Sequence, residues 1–198
     1  MKKRTIFDLC LIFILLIILV FLGTRDYKVD KSKDSKRFDK EYSMVSKDNV
    51  FKYADEEKVY DLIQKGDGII FMAFNENEWS NYYAKILNDT AKSNNIETIY
   101  YYDFLADREK QSVTYKKIVE YLEMYLKQND LGQVNVNAPC LVVLKNNTVM
   151  AYDDETSMIS GSMEPKDYWN NVNIENKTIH FNNIFNLYLG GVNNGGEE

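Results

Sequence analysis

The pattern of hydrophobic positions divides the chain into one continuous apolar run near the start and a later series of shorter segments. Residues 9–22 are an unbroken run of 14 apolar residues, and Ile6 and Phe7 extend it. A helix over residues 6–23 would be about 27 Å long, close to the hydrocarbon thickness of a bilayer. The pattern therefore predicts a transmembrane anchor over residues 5–23.

Two interpretations fit this run and its basic leader, residues 1–4. A cleaved signal peptide has the same charge pattern, but it requires small residues before the cleavage site. A cut after Gly23 would place the large side chain of Phe21 at the third position before it. We therefore favour an uncleaved anchor over a cleaved signal peptide.

The flanks of the anchor give two conflicting indications of its orientation. Three Lys/Arg precede the run and seven follow it between Arg25 and Lys40, which by the positive-inside rule would place the later part of the chain in the cytoplasm. A very short basic leader followed directly by an apolar run resembles an export-type signal anchor. We favour the second interpretation: a single-pass protein of the cell membrane, with residues 1–4 cytoplasmic and the globular domain extracytoplasmic.

Charge is distributed unevenly along the sequence. Residues 1–40 carry 10 of the 24 Lys/Arg and 5 of the 30 Asp/Glu, so residues 41–198 carry 14 basic and 25 acidic residues. Residues 24–43 alternate charges with few apolar positions, which is typical of a solvated linker. We expect a charged linker over 24–43, a globular domain over 44–192 and a flexible tail over 193–198.

Within the globular part, apolar runs of strand length alternate with stretches of helical periodicity. Strands are expected where apolar runs are short and continuous, and helices where apolar residues recur every three or four positions. Helices are predicted over residues 54–65, 79–91, 115–126 and 179–188, and strands over 68–74, 96–102, 139–144 and 148–152. The last two strands form a hairpin at Asn146 and Asn147. This order predicts an α/β protein with a layered sheet.

Composition excludes several classes of protein. With 2 Cys and 1 His, the chain cannot form a disulfide-stapled scaffold or a Cys/His zinc cluster. A net charge of −6 argues against a nucleic-acid partner. The contiguous acids Asp153–Glu155 are interpreted as solvated loop residues, and His180, between Ile179 and Phe181, as a packing residue. We expect no metal, no cofactor and no nucleic-acid partner.

A strand, a turn and a distant proline suggest a family. The apolar strand Gly68–Phe74 runs into a helix whose first turn contains Trp79, and Pro139 opens a strand that begins Pro-Cys-Leu-Val-Val-Leu. This combination resembles the thioredoxin-like superfamily, especially its membrane-tethered bacterial members. The resemblance covers residues 44–192 and implies a central mixed sheet of about four strands flanked by helices.

The resemblance also implies which residues occupy the family's redox motif. The family's Cys-Pro-Trp-Cys turn falls on Asn77, Glu78, Trp79 and Ser80, and its cis-proline falls on Pro139 after Ala138. No cysteine lies between Cys10 and Cys140, so no shift of the alignment restores the motif.

Loss of both cysteines removes the family's chemistry. Thiol–disulfide exchange needs a thiolate that attacks and a second thiol that resolves the mixed disulfide. Asn77 is instead expected to cap the helix, and Ser80 has no neighbouring histidine in the sequence to act as a base. We therefore expect no catalytic residue in the degenerate motif. Cys140 is open to two interpretations, a buried core residue or a single reactive thiol.

These observations lead to a hypothesis of binding rather than catalysis. In redox-active members of the family, the groove beside the motif pairs with an extended substrate, so here it is expected to hold an extended peptide or a partner protein. The predicted groove residues are Trp79, Tyr82, Tyr83, Ala138 and Pro139. Two alternatives remain, a residual thiol-dependent activity through Cys140 and an accessory subunit of an export or surface complex held by residues 5–23.

Overall fold

A five-stranded sheet forms the centre of the protein in a computed structural model, which describes residues 31–128, 132, 134–159 and 161–190. The predicted anchor at residues 5–23 and the predicted tail at 193–198 lie outside the described residues. Among the helices that the structure describes, none combines the length and the hydrophobicity needed to cross a bilayer.

The sheet is mixed, with the strand order β1-β3-β2-β4-β5. The first three of these run parallel, and β4 and β5 are each antiparallel to their neighbour. The strands are β1 (Phe51–Tyr53), β2 (Gly68–Ala73), β3 (Ile99–Asp103), β4 (Cys140–Lys145) and β5 (Thr148–Asp153). The α/β class and the mixed sheet are therefore confirmed. The additional strand is β1, whose 3 residues are too few to produce a periodic pattern.

Helices cover both faces of this sheet. They are α1 (Lys31–Glu41), α2 (Glu56–Lys65), α3 (Glu78–Ser93), α4 (Leu105–Lys110), α5 (Val113–Leu122), α6 (Pro165–Tyr168) and α7 (Asn171–Tyr188). Side chains from α1, α3 and α7 pack on one face of the sheet and those from α2 and α5 on the other, which gives two hydrophobic cores. Neighbouring residues of β2 divide between them, since Phe71 belongs to the first core and Met72 to the second.

The segment expected to be a solvated linker is different in the structure. Part of residues 24–43 forms helix α1, and its Phe38 and the following Tyr42 are fully buried. Phe38 stacks on Tyr42 and on Phe51, with ring centroids 4.3 and 4.0 Å apart. Two aromatic residues four positions apart lie on one side of a helix, but the many charges around them hid this pattern. The compact unit therefore begins before residue 44.

Candidate functional site

The turn between β2 and α3 lies against the start of β4. Met72 of β2 pairs with Cys140 of β4, and the side-chain amide nitrogen of Asn77 donates a hydrogen bond to the carbonyl of Ala138, at 2.9 Å. The Ala138–Pro139 peptide bond is cis, as the resemblance implied. Two segments that are far apart in the sequence, the first turn of α3 and the residues before β4, are thus brought together.

Asn77 uses both ends of its side-chain amide. Its Oδ1 accepts a hydrogen bond from the backbone N–H of Trp79 at 2.9 Å, which caps α3, while its Nδ2 binds Ala138. A cap with a neutral amide satisfies the helix start without adding a charge. The side chain of Asn77 therefore both caps α3 and fixes the start of this helix to the opposite segment.

Ser80 is unsuited to contact a bound molecule. Its side chain is fully buried, and its Oγ has no hydrogen-bond partner among the described residues. A hydroxyl buried in this way is neither exposed to solvent nor activated by a base. Ser80 is therefore a residue of the protein interior rather than of an exposed surface.

The three aromatic residues predicted to line the groove lie in three different environments. Trp79 is 7% exposed and forms part of a cavity of about 530 Å³ with residues 161–165 and Asp167. Tyr82 lines a separate cavity of about 210 Å³ between α3 and α7. Tyr83 is fully buried and stacks on Phe71 with centroids 5.7 Å apart.

Helical geometry explains why the three aromatic residues predicted for one groove lie in different environments. Residues four positions apart lie on the same side of a helix, so Trp79 and Tyr83 both turn inward from α3. Tyr82 lies to the side of that buried stripe and lines the cavity between α3 and α7. Tyr83 is therefore a core residue and not part of a groove, whereas Ala138 and Pro139 do border the turn.

Cys140 is a core residue. Its side chain is 0% exposed, and burial raises the pKa of its thiol well above the usual range, with a further rise from the negative charge of Asp154. A neutral thiol without access to solvent is a poor nucleophile. The geometry therefore favours the structural interpretation of Cys140 over the reactive one.

Thiol labelling tests this environment. In the full-length chain with Cys10→Ser, we expect a maleimide to modify Cys140 roughly a hundredfold or more slowly than an exposed cysteine. Guanidinium should make the modification complete, which mass spectrometry can follow. A Met124→Cys substitution in the same background supplies the exposed control, since Met124 is 83% exposed. Rapid labelling of Cys140 in the folded chain would contradict its assignment to the core.

A buried charged cluster joins β5, α3 and α7. Asp153 is 7% exposed and accepts hydrogen bonds from Lys177 Nζ at 2.9 and 3.0 Å, from His180 Nε2 at 2.8 Å and from the hydroxyl of Tyr83 at 2.8 Å. Lys177, itself buried, also pairs with Glu155. The prediction of solvated acids over Asp153–Glu155 is therefore wrong for Asp153, because cationic partners on α7 compensate its burial. It is also wrong for Asp154, which is buried too.

The ionisation of Asp153 follows from these neighbours. Burial by itself would raise the pKa of this carboxyl, but the hydrogen bond from His180 and the ammonium of Lys177 together outweigh burial and hold the pKa well below its usual range. Asp153 is therefore charged in the folded protein. His180 contacts the carboxylate of Asp153. The prediction that it only packs against its apolar neighbours is therefore wrong.

One signal in the sequence points to this cluster. Lys177 follows Ile174 by three positions and precedes Phe181 by four, so it interrupts the buried stripe of α7. A lysine at such a position needs an acidic partner, although the spacing does not show which acid supplies it.

The acid that follows Asp153 in the sequence also has a cationic partner. Asp154, also buried, accepts a hydrogen bond from Lys127 Nζ at 2.7 Å. Over the described part of the chain, no group of three or more side chains is arranged to hold a metal ion.

Comparisons with protein-family models, with curated proteins and with solved structures found no match for this chain.

Proposed function

We propose that this chain is a membrane-anchored, thioredoxin-like protein that lacks the redox motif and binds an extended peptide or a partner protein. The observation that carries the proposal is the bridge from Asn77 to Ala138, at 2.9 Å. It holds the groove-forming segments together with an amide where the family has a reactive thiol. Such a site retains a shape for binding and has no group for sulfur exchange.

The arrangement of the elements supports the resemblance to the family. Helix α3 follows directly after β2, which lies inside a mixed sheet with helices on both faces. The first turn of α3 faces the segment that ends in Pro139. These are the relations that the family's motif turn and proline require, although the motif itself is absent.

The backbone before β4 is the segment that we propose binds a peptide. The pairs of β4 begin at Cys140 on the β2 side and at Leu141 on the β5 side. The half-buried residues Asn137 and Ala138 therefore precede the registered part of the sheet. A peptide strand added here would gain main-chain hydrogen bonds, which is a common mode of peptide recognition.

The environment of Cys140 does not support the alternative of a residual thiol-dependent activity. A mixed disulfide requires an accessible thiolate, whereas this thiol is buried and neutral. We therefore propose binding without catalysis, with the anchor at residues 5–23 keeping the domain at the membrane and the domain lying outside the cytoplasm.

A peptide-binding assay tests the groove. The full-length chain in detergent is screened against an array of extended peptides, and affinities of the selected peptides are measured by fluorescence anisotropy. We expect Ala138→Glu to weaken binding about tenfold or more, because it places a charged side chain where the peptide backbone approaches.

The matched control for this variant is Met124→Glu, which adds the same charge at an exposed position in the helical turn that follows α5. We expect Met124→Glu to bind peptides as the unchanged chain does. If the Ala138→Glu variant bound peptides with unchanged affinity while remaining folded, the proposed location of the groove would be wrong. If the unchanged chain selected no peptide, the binding function itself would be rejected.

A further inference from the structure

Helix α1 has two sharply different sides. Ser35, Phe38 and the following Tyr42 are buried, whereas Lys33, Lys36 and Lys40 are exposed. At about 100° per residue, these three lysines fall within roughly 60° of one another around the helix, on the side opposite Tyr42. We call Lys33, Lys36 and Lys40 the lysine face. Because the opposite side of α1 is buried in the domain, the lysine face points into solvent.

Within the described part of the chain, no acidic side chain pairs with the lysine face. Among the described residues, none of its three ammonium groups lies in an ion pair, whereas Arg37 beside them pairs with Glu41 at 2.8 Å. Of the acids that flank the face, Asp34 accepts a hydrogen bond from the backbone N–H of Tyr53. Asp39 is half-buried. The face therefore presents positive charge to whatever lies beyond it.

This positive face contrasts with the rest of the domain. Residues 41–198 contain 14 Lys/Arg and 25 Asp/Glu, and many of those lysines have acidic partners, as Lys65 has Asp61 and Lys85 has Asp89. A basic side on an otherwise acidic domain is attracted to an anionic surface. The acidic remainder of the domain is repelled by that same surface.

The position of α1 in the sequence indicates which anionic surface this is. Only residues 24–30 separate α1 from the predicted anchor at 5–23, and seven residues span at most about 25 Å. Basic segments beside a membrane anchor are attracted to anionic headgroups over about a Debye length, near 10 Å. We infer that the lysine face docks on anionic lipid headgroups and so sets the orientation of the domain on the membrane.

This inference rests on the anchor of the proposed function, and amine labelling in vesicles separates the two. The full-length chain is reconstituted into phosphatidylcholine vesicles with or without about one third phosphatidylglycerol, and a membrane-impermeant acetylating reagent is applied. Mass spectrometry compares Lys33, Lys36 and Lys40 with Lys110 and Lys116, exposed lysines of α4 and α5. Within one molecule, this ratio does not depend on how many domains face outward.

We expect the lysine face to be acetylated about fivefold more slowly than the controls in vesicles that contain phosphatidylglycerol. The protection should disappear in pure phosphatidylcholine and in about 0.5 M salt, where the screening length falls to about 4 Å. In a Lys33→Gln/Lys40→Gln variant, the remaining Lys36 should lose its protection, because attraction to the headgroups depends on the whole face. A thermal melt of that variant checks that the domain is folded.

Each result has one meaning. Equal labelling of all five lysines in vesicle-inserted chain would overturn the inference and leave the anchor intact. Release of the chain by salt, with protection before release, would support docking and reject the anchor. Protection that is the same without phosphatidylglycerol would show that something other than anionic lipid covers the face, and the inference would be rejected.

Discussion

Lys177→Met is expected to lower the free energy of unfolding by about 3 kcal/mol. The substitution keeps the length and the packing of the side chain against Tyr83 and Phe181, whose ring centroids lie 5.6 and 5.4 Å from the ammonium. It removes the cation that lies 2.9 Å from Asp153 and leaves a buried carboxylate with less compensation. Urea denaturation followed by tryptophan fluorescence measures the change, since Trp79 and Trp169 are both buried in the domain.

A double variant and a pH series sharpen this test. Asp153→Asn combined with Lys177→Met should recover much of the loss, because no uncompensated charge then remains buried. In the unchanged chain, the pKa of Asp153 is lower in the folded than in the unfolded state. Its contribution is therefore complete above about pH 4 and is lost as the pH falls toward the folded pKa. A loss below about 1 kcal/mol in Lys177→Met would contradict the importance of this ion pair.

Phe38→Ala is expected to destabilise the domain by about 3–5 kcal/mol, the usual cost of removing a buried aromatic ring. Phe38 is fully buried and contacts Tyr42, Phe51 and Tyr101, with ring centroids between 4.0 and 5.1 Å away. The loss would show that α1 belongs to the folded unit. The same urea titration measures it.

Val113→Ala is the matched control for Phe38→Ala. Val113 is 72% exposed, so its truncation should change the free energy of unfolding by no more than about 0.5 kcal/mol. If Phe38→Ala behaved like this control, residues before 44 would be a linker after all. A large loss would instead mean that any soluble version of the domain must start at or before α1.

The parts of the fold that were predictable are those in which one residue pattern extends over a whole element. The apolar runs that became β2 and β4 are long enough to be recognised without their neighbours. Helix α1 could not be predicted in this way, because only Phe38 and Tyr42 mark its buried side among many charged residues. The short β1 has no pattern of its own and exists because it pairs with β3.

Only the part of the candidate site around Asn77 and Ala138 was predictable from the sequence. Asn77 as a helix cap and its closeness to Ala138 follow from residue type and from the family resemblance, and the structure has both. The roles of Tyr82 and Tyr83 could not be separated without the helix axis. The partnership of Asp153 with Lys177 joins residues 24 positions apart, and it depends on how α7 packs against β5, which local periodicity does not encode.

The two-ended amide of Asn77 has a consequence for the conditions in which this surface keeps its form. A pair of thiols at a helix start changes its bonding with the redox poise of its compartment. A carboxamide that caps its own helix and also binds the facing carbonyl has no such dependence. The proposed binding surface should therefore keep the same form under reducing and oxidising conditions, on either side of a membrane.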